Sequence, residues 1–132
     1  MVTVAVTDDA RPIVLVDDEP VLREATRQLI ARAFTNVRVL AFGNGPDALA
    51  ATAQQQPAIA VLDVDMAPMS GLEIAAALRE RWEHLPILFI TGTAQANMEP
   101  EFERVGAVAW FRKPVTGNAL LDAIRTHAFA AD

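Results

Sequence analysis

The sequence predicts an α/β domain in which helices cover both faces of a parallel sheet. Two patterns alternate along its 132 residues. Short, continuous apolar runs are typical of strands that are buried on both faces. Between these runs, apolar residues recur at helical spacing. Strands that alternate with helices in this way form a parallel sheet, because each helix returns the chain to the edge where the previous strand began.

Five segments are predicted as strands. Four of them are continuous apolar runs, at Ile13–Val16, Ile59–Leu62, Ile87–Ile90 and Ala107–Phe111. The fifth, Val37–Phe42, alternates apolar and polar side chains more strongly, which is typical of an edge strand. We therefore expect a five-stranded sheet with this segment at one side.

The first helix is predicted to begin at Pro20, because a proline in the first helical turn costs no hydrogen bond. One face of this helix is apolar and is expected to pack on the sheet. That face consists of Val21, Leu22, Ala25, Leu29 and Ala33.

Capping residues mark the next two helices. Asn44 is expected to cap the second helix, and Pro57 to end it, because the residue before a proline avoids helical backbone. Ser70 is expected to cap a third helix over Leu72–Arg81. The inward side chains of this third helix are predicted to be Leu72, Ala75, Ala76 and Leu78.

The last two helices differ in the strength of their patterns. Pro100 lies within the segment Gln95–Val105, so a helix there should be short or begin near Pro100. Asn118–Ala128 has clear helical spacing. Its inward residues are predicted to be Leu120, Ala123, Ile124 and Ala128.

Length and composition favour one folded domain. With 52% hydrophobic and 21% charged residues, a disordered chain is excluded. We expect a single domain over residues 1–132, with a core from about 12 to 129 and a flexible N-terminal extension at 1–10.

Charge and residue content exclude several kinds of function. A net charge of −6 argues against direct binding to nucleic acid. The absence of cysteine excludes disulfides, thiolate metal sites and cysteine nucleophiles. No segment approaches the ~20 apolar residues of a membrane span, and the N-terminus lacks the basic residues of a secretory signal. We therefore expect a cytoplasmic protein that does not associate with membranes.

Reactive side chains follow four of the five predicted strands. They are Asp17 and Asp18 after the first, Asp63 and Asp65 after the third, Thr91 at the end of the fourth and Lys113 after the fifth. A polar loop explains any one of them, but not all of them together. Because ligands of parallel sheets bind beyond the carboxyl ends of the strands, this edge is the candidate site.

The acidic residues of this edge point to metal-assisted phosphoryl chemistry. Crowded carboxylates such as Asp17, Asp18 and Asp63 repel one another unless a cation neutralises them. Mg²⁺ accepts one or two carboxylates, keeps several waters and bridges phosphate oxygens. A carboxylate beside Mg²⁺ can attack a phosphoryl group and form an aspartyl phosphate, whose charge Lys113 and Thr91 are placed to stabilise.

Four segments together resemble the receiver domain of two-component response regulators. They are Val16–Pro20, Val61–Gly71, Phe89–Gly92 and Trp110–Pro114, in the family's order and spacing. The resemblance covers about Ile13–Phe129. It implies a flavodoxin-like (βα)5 fold, a doubly wound five-stranded parallel sheet with strand order 2-1-3-4-5.

The resemblance also implies roles for the acidic residues. A histidine kinase or a phosphotransfer protein would donate a phosphoryl group to Asp63. Asp18 and Asp63 would bind Mg²⁺ through their carboxylates, Asp17 mainly through water, and Asp65 through its backbone carbonyl. Asp65 and Thr93 occupy positions that vary in the family and would tune hydrolysis of the phosphoryl group.

Three further residues have implied roles in a conformational switch. Lys113 would contact the phosphoryl group, and its bond to Pro114 is the candidate cis peptide. Thr91 would turn toward the phosphoryl group, and Trp110 would then change rotamer. The resemblance thus implies a signalling phosphoacceptor, which assists its own phosphorylation and dephosphorylation, rather than an enzyme.

Several alternatives stay open at this point. Asp63-Val64-Asp65 also matches the Asp-x-Asp motif of haloacid-dehalogenase phosphatases, although that motif should lie near the N-terminus and 132 residues leave no room for a substrate-binding cap. A degenerate receiver that acts only in docking is a second alternative. The chain could also be the receiver part of a hybrid histidine kinase or of a larger regulator. Its output protein or domain would lie outside this chain, and a homodimer is possible.

Overall fold

The structure, a computed structural model, describes residues 11–92 and 98–129. The described residues form five strands and five helices. The strands are β1 (Ile13–Val16), β2 (Val39–Phe42), β3 (Ile59–Asp63), β4 (Ile87–Thr91) and β5 (Ala109–Arg112). The helices are α1 (Pro20–Ala33), α2 (Gly45–Ala51), α3 (Gly71–Arg81), α4 (Glu99–Arg104) and α5 (Gly117–Ala128). The predicted extension at 1–10, Thr93 and the start of the segment from Gln95 lie outside the described residues.

All strand pairs in the sheet are parallel, and the strand order is β2-β1-β3-β4-β5. This confirms the predicted fold class. Val16 at the end of β1 lies opposite Leu62 of β3, and Asp63 lies opposite Ile90 of β4. The carboxyl ends of β1, β3 and β4 are therefore level, so the loops that follow them leave the sheet at one edge.

The strands separate two core clusters, one on each face of the sheet. On β1, Ile13 and Leu15 belong to one cluster, whereas Val14 and Val16 belong to the other. Helices α1 and α5 complete the first cluster, and α2, α3 and α4 complete the second. This two-sided burial is why the three central strands, β1, β3 and β4, are apolar along most of their length, whereas the outer strands β2 and β5 are only partly buried.

The predicted inward face of α1 is wrong except for Leu22, which is partly buried. The structure buries Ile30 completely and leaves Val21 83% exposed. At about 100° per residue, Val21 and Ile30 lie on opposite sides of a helix, so a helix that buries one must expose the other. Leu22 and Thr26 lie on the side of Ile30 and are partly buried. The polar Thr26 obscured this face in the sequence.

The predicted caps of α2 and α3 are confirmed. The side chain of Asn44 accepts a hydrogen bond from the backbone N–H of Asp47 (2.8 Å). Ser70 and Glu73 form a reciprocal capping box at α3. The predicted inward face of α3 needs two corrections, because Ala76 is exposed and the buried Ile74 was missed.

Helices α2 and α4 are short. Helix α2 ends at Ala51, so the prediction that Pro57 ends it is wrong. At this end of the helix the Thr52 hydroxyl donates to the carbonyl of Ala48 (2.8 Å). Helix α4 is short and has Pro100 in its first turn, as the sequence predicts. No helix among the described residues is long and apolar enough to cross a membrane.

Candidate functional site at the carboxyl edge of the sheet

Three carboxylates meet where β1 and β3 end side by side. One carboxylate oxygen from each of Asp17, Asp18 and Asp63 lies within 4.8 Å of the others. Asp17 and Asp63 are only 5% and 4% exposed, whereas Asp18 is open to solvent. The parallel pairing of β1 with β3 brings these residues together although they are far apart in the sequence.

The two buried carboxylates are held by their own loops. Asp17 Oδ1 accepts a hydrogen bond from the backbone N–H of Glu19 (3.0 Å), and Asp63 Oδ1 accepts one from the N–H of Asp65 (3.0 Å). In such Asx turns, the side chain is held by the backbone N–H group two residues further along the chain. Arg23 also donates to the backbone carbonyl of Asp17 (2.8 Å). The positions of the carboxylates are therefore set before any ligand binds.

Lys113 places its charge beside the buried carboxylates. Its Nζ lies 3.1 Å from Asp63 Oδ2 and 3.9 Å from Asp17 Oδ2. Its backbone N–H donates to the carbonyl of Thr91 (2.7 Å), and its peptide bond to Pro114 is cis. Burial alone would lower the pKa of Lys113, but the hydrogen bond and charge of Asp63, together with Asp17, raise that pKa above its usual value. The side chain is therefore a cation at neutral pH.

The site carries more negative charge than Lys113 can neutralise. Burial raises the pKa of Asp17 above its usual value, and Asp63 raises it further, against the opposing hydrogen bond from Glu19 and the charge of Lys113. The donor set consists of hard carboxylate oxygens, two of them buried and one accessible from solvent. These residues fit a small divalent cation such as Mg²⁺, which prefers oxygen ligands and retains water.

The switch candidate Thr91 lies close to the acidic cluster and is hydrogen-bonded to Asp65. The Thr91 hydroxyl donates to Asp65 Oδ2 at 3.1 Å. The neighbouring backbone N–H of Gly92 donates to the same oxygen at 2.6 Å. The sequence predicted that Asp65 binds Mg²⁺ through its carbonyl and tunes hydrolysis, but it did not predict these hydrogen bonds of the Asp65 side chain to Thr91 and Gly92.

Comparison with known proteins decides the family. The sequence-family model named response regulator receiver domain matches residues 13–125 of this chain. This chain belongs to the response regulator receiver family. Receiver domains are signalling phosphoacceptors rather than classical enzymes, and the haloacid-dehalogenase alternative is not favoured.

Curated relatives of this receiver are longer proteins. The response regulator protein TmoT of Ectopseudomonas mendocina is 34% identical over 119 residues, which are 90% of this chain and 53% of TmoT. The C4-dicarboxylate transport transcriptional regulatory protein DctD of Pseudomonas aeruginosa is 32% identical over 118 residues, which are 89% of this chain and 25% of DctD. The chain thus spans about half of TmoT and a quarter of DctD.

A solved receiver structure supports the same fold. The chemotaxis protein CheY4 of Vibrio cholerae superposes with a TM-score of 0.81 at 26% identity, over 89% of this chain and 98% of CheY4. The five-stranded order and the helices on both faces are therefore those of a CheY-like, flavodoxin-like receiver.

The second switch candidate of this receiver, Trp110, lies in the core rather than at the acidic edge. It is partly buried on β5 opposite Phe89. Its ring lies 5.4 Å from that of Phe102, which in turn stacks on Phe89 at 4.7 Å. Because Phe102 belongs to α4, a movement of the Trp110 ring would change how this helix packs on the sheet.

Gly71 lets the loop after β3 return close to the phosphoacceptor candidate of the receiver. Its N–H donates to the carbonyl of Val64 (3.2 Å). A Cβ atom at Gly71 would clash with the carbonyl oxygen of Asp63 and would lie 2.9 Å from Val64 Cα. Both obstacles are backbone atoms, so they cannot move aside without moving the site.

Gly71→Ala is therefore expected to destabilise the receiver by about 2–4 kcal/mol, in the range of changes that force a packed backbone apart. Urea unfolding measures this loss. The matched control is Gly43→Ala, where the added Cβ meets only the end of the flexible Arg23 side chain. Equal unfolding free energies for the two variants would contradict the role of close approach at Gly71.

Asp17→Asn is expected to raise the free energy of unfolding of the metal-free protein at pH 7, because it removes a carboxylate whose ionised form is disfavoured by burial. Because the pKa of Asp17 is higher in the folded chain than its unfolded value of 3.8, its ionisation destabilises the fold as the pH rises through the folded pKa. The gain should therefore shrink as the pH falls toward 3.8.

Urea unfolding at several pH values in a chelating buffer measures this effect. The control is Asp122→Asn, which removes a carboxylate that is 76% exposed on α5. A gain for Asp17→Asn that is the same at pH 7 and at acidic pH would contradict the burial of a charged Asp17.

Proposed function

We propose that this receiver accepts a phosphoryl group on Asp63. The observation that carries the proposal is the setting of that carboxylate, which is buried at the end of β3 and hydrogen-bonded to the ammonium group of Lys113. In the transfer, the bond between phosphorus and the donor breaks as a bond from phosphorus to a carboxylate oxygen of Asp63 forms. The donor leaves with the electron pair.

Mg²⁺ is the proposed cofactor. Asp18 and Asp63 would bind it through carboxylates, Asp17 mainly through water, and Asp65 through its backbone carbonyl. When bound, the cation neutralises charge that develops on the phosphoryl oxygens. The closeness of the three carboxylates, within 4.8 Å, supports this assignment.

Lys113 and Thr91 would convert the new charge into a change of shape. A phosphoryl group adds a dianion beside Asp63, which attracts the Lys113 ammonium and the Thr91 hydroxyl. Thr91 at the end of β4 would move toward the phosphoryl group, and Trp110 would change rotamer. Through the contact between Trp110 and Phe102, helix α4 would respond.

The proposed partners rest on membership of the receiver family. A histidine kinase or a phosphotransfer protein would supply the phosphoryl group, and the receiver would assist its own phosphorylation and dephosphorylation. DctD is named as a transcriptional regulatory protein and is much longer than this chain. We propose that the output of this receiver lies likewise in another segment or protein, with a homodimer as one form of the signalling state.

Uptake of a phosphoryl group from acetyl phosphate tests the proposal. Intact mass spectrometry should show one added phosphoryl group in the presence of Mg²⁺ and none when a chelator replaces it. The adduct should be lost on mild hydrolysis, as expected for an acyl phosphate. A protein that gains no phosphoryl group with Mg²⁺, or gains as much with the chelator, would refute the proposed function.

A further inference from the structure

Two hydrogen-bond donors converge on a single carboxylate oxygen beside the proposed phosphorylation site. Asp65 Oδ2 accepts from the Thr91 hydroxyl (3.1 Å) and from the Gly92 N–H (2.6 Å). The two donors come from adjacent residues at the end of β4. Neighbouring hydroxyl and backbone N–H groups that aim at one anionic oxygen form a small anion-binding unit. Here the anion is a side chain of the protein itself.

This unit lies directly beside Asp63. The N–H of Asp65 donates to Asp63 Oδ1 (3.0 Å), and Lys113 Nζ lies 3.1 Å from Asp63 Oδ2. The space next to the α-carbon of Gly92 is bounded by Asp65 Oδ2 and by Lys113 Cδ, each 3.6 Å from the position of a Cβ. The donors of Thr91 and Gly92 thus lie beside the charges that a phosphoryl group would join.

We propose that the Asp65 carboxylate is an internal competitor of the phosphoryl group for the donors of Thr91 and Gly92. The inference rests on the proposed phosphorylation of Asp63. In the unphosphorylated protein, Asp65 holds both donors and keeps Thr91 and Gly92 in their resting positions. Phosphorylation of Asp63 supplies a second anion, and Thr91 and Gly92 engage it only when that anion takes the donors from Asp65. Asp65 is therefore a positioning residue that acts through Thr91 and Gly92.

How strongly Asp65 competes with the phosphoryl group depends on the strength of its hydrogen bonds to Thr91 and Gly92. Hydrogen bonds to a charged acceptor are stronger than neutral ones, although the exposure of Asp65 weakens them. An interaction made only in the resting state lowers the population of the engaged state by its Boltzmann factor. Removal of the Asp65 carboxylate should therefore tighten the binding of a phosphoryl analogue by roughly tenfold.

Loss of negative charge alone would also favour an incoming anion, so the variants must separate charge from hydrogen bonding. Asp65→Ala removes the charge and the acceptor. Asp65→Asn removes the charge but keeps a carbonyl oxygen that can accept from Gly92. Asp122→Ala removes one charge from an exposed position on α5 and serves as the control for net charge. Competition predicts tighter binding in Asp65→Ala than in Asp65→Asn, whereas a charge effect makes these two variants equal.

The experiment is a titration with beryllium fluoride, a phosphoryl analogue, at fixed Mg²⁺. The amide NMR signals give the beryllium fluoride concentration at half-saturation, and the Gly92 signal reports directly on the hydrogen bonding of its N–H group. Without beryllium fluoride, Asp65→Ala should speed hydrogen exchange of the Gly92 amide and move its signal. With it, Asp65→Ala should reach half-saturation at roughly a tenfold lower concentration than the parent, Asp65→Asn should fall between them, and Asp122→Ala should match the parent.

The inference is overturned by an unchanged Gly92 amide in Asp65→Ala, by equal half-saturation in Asp65→Ala and Asp65→Asn, or by binding in Asp65→Ala that is no tighter than in the parent. Failure of the parent itself to bind beryllium fluoride refutes the proposed function, and the competition with it. The exchange rate of the Gly92 amide then still shows whether Asp65 holds this N–H group. The two failures are therefore distinguishable.

Discussion

Asp63→Asn is expected to abolish phosphoryl uptake from acetyl phosphate, with a fall in rate of more than about a thousandfold, because a neutral amide is a poor nucleophile and a poor ligand for Mg²⁺. The substitution also removes the negative partner of Lys113. The fold should survive, since the amide oxygen can still accept the hydrogen bond from the backbone N–H of Asp65. The loss would therefore reflect chemistry at position 63 rather than unfolding.

Intact mass spectrometry after incubation with acetyl phosphate and Mg²⁺ measures this loss. The matched control is Asp122→Asn, which removes an exposed carboxylate on α5 and should be phosphorylated like the parent. Urea unfolding of both variants shows whether they are folded. A phosphoryl adduct on folded Asp63→Asn at the level of the parent would contradict the role of Asp63.

Lys113→Ala is expected to leave phosphorylation possible but to reduce the conformational response about tenfold or more, since a charge-assisted contact at such a site contributes about 1.5–3 kcal/mol. Lys113 is the only lysine of the chain, and its ammonium group lies between Asp17 and Asp63. Without it, the dianion on Asp63 loses the ammonium group that contacts this side chain.

Fluorescence of Trp110 reports the response when Trp82, the other tryptophan, is replaced by phenylalanine. In this background, phosphorylation should change the emission of the parent, while Lys113→Ala should form the adduct with little change. Lys113→Arg keeps a cation and should retain part of the response. A full fluorescence change in Lys113→Ala would contradict the role of the ammonium group.

Much of the fold could be predicted because the sheet is buried on both faces. Such strands are continuously apolar, so Ile13–Val16 and Ile87–Ile90 are recognisable without any knowledge of their neighbours. The inward face of α1 could not be predicted in the same way. Its orientation depends on how Ile30 fits against the sheet and α5, and the exposed Val21 is just as apolar in the sequence.

The candidate site likewise has some contacts that the sequence predicts and others that it does not. Strand order alone brings the carboxylates of Asp17 and Asp63 together, so the acidic cluster could be expected from their positions after β1 and β3. The hydrogen bond from Thr91 to Asp65 could not, because it depends on the paths of two loops. The contact of Trp110 with Phe102 likewise depends on where the short helix α4 lies on the sheet.

Mapping of the phosphorylated residue tests the central claim most directly. The protein is treated with acetyl phosphate and Mg²⁺, and borohydride then reduces the acyl phosphate to the alcohol, which converts a phosphorylated aspartate to homoserine. Peptide mass spectrometry locates the change. We expect homoserine at position 63 and unmodified aspartate at positions 17 and 18. Homoserine at another position, phosphate on His84 or His127, or no modification at all would contradict the account.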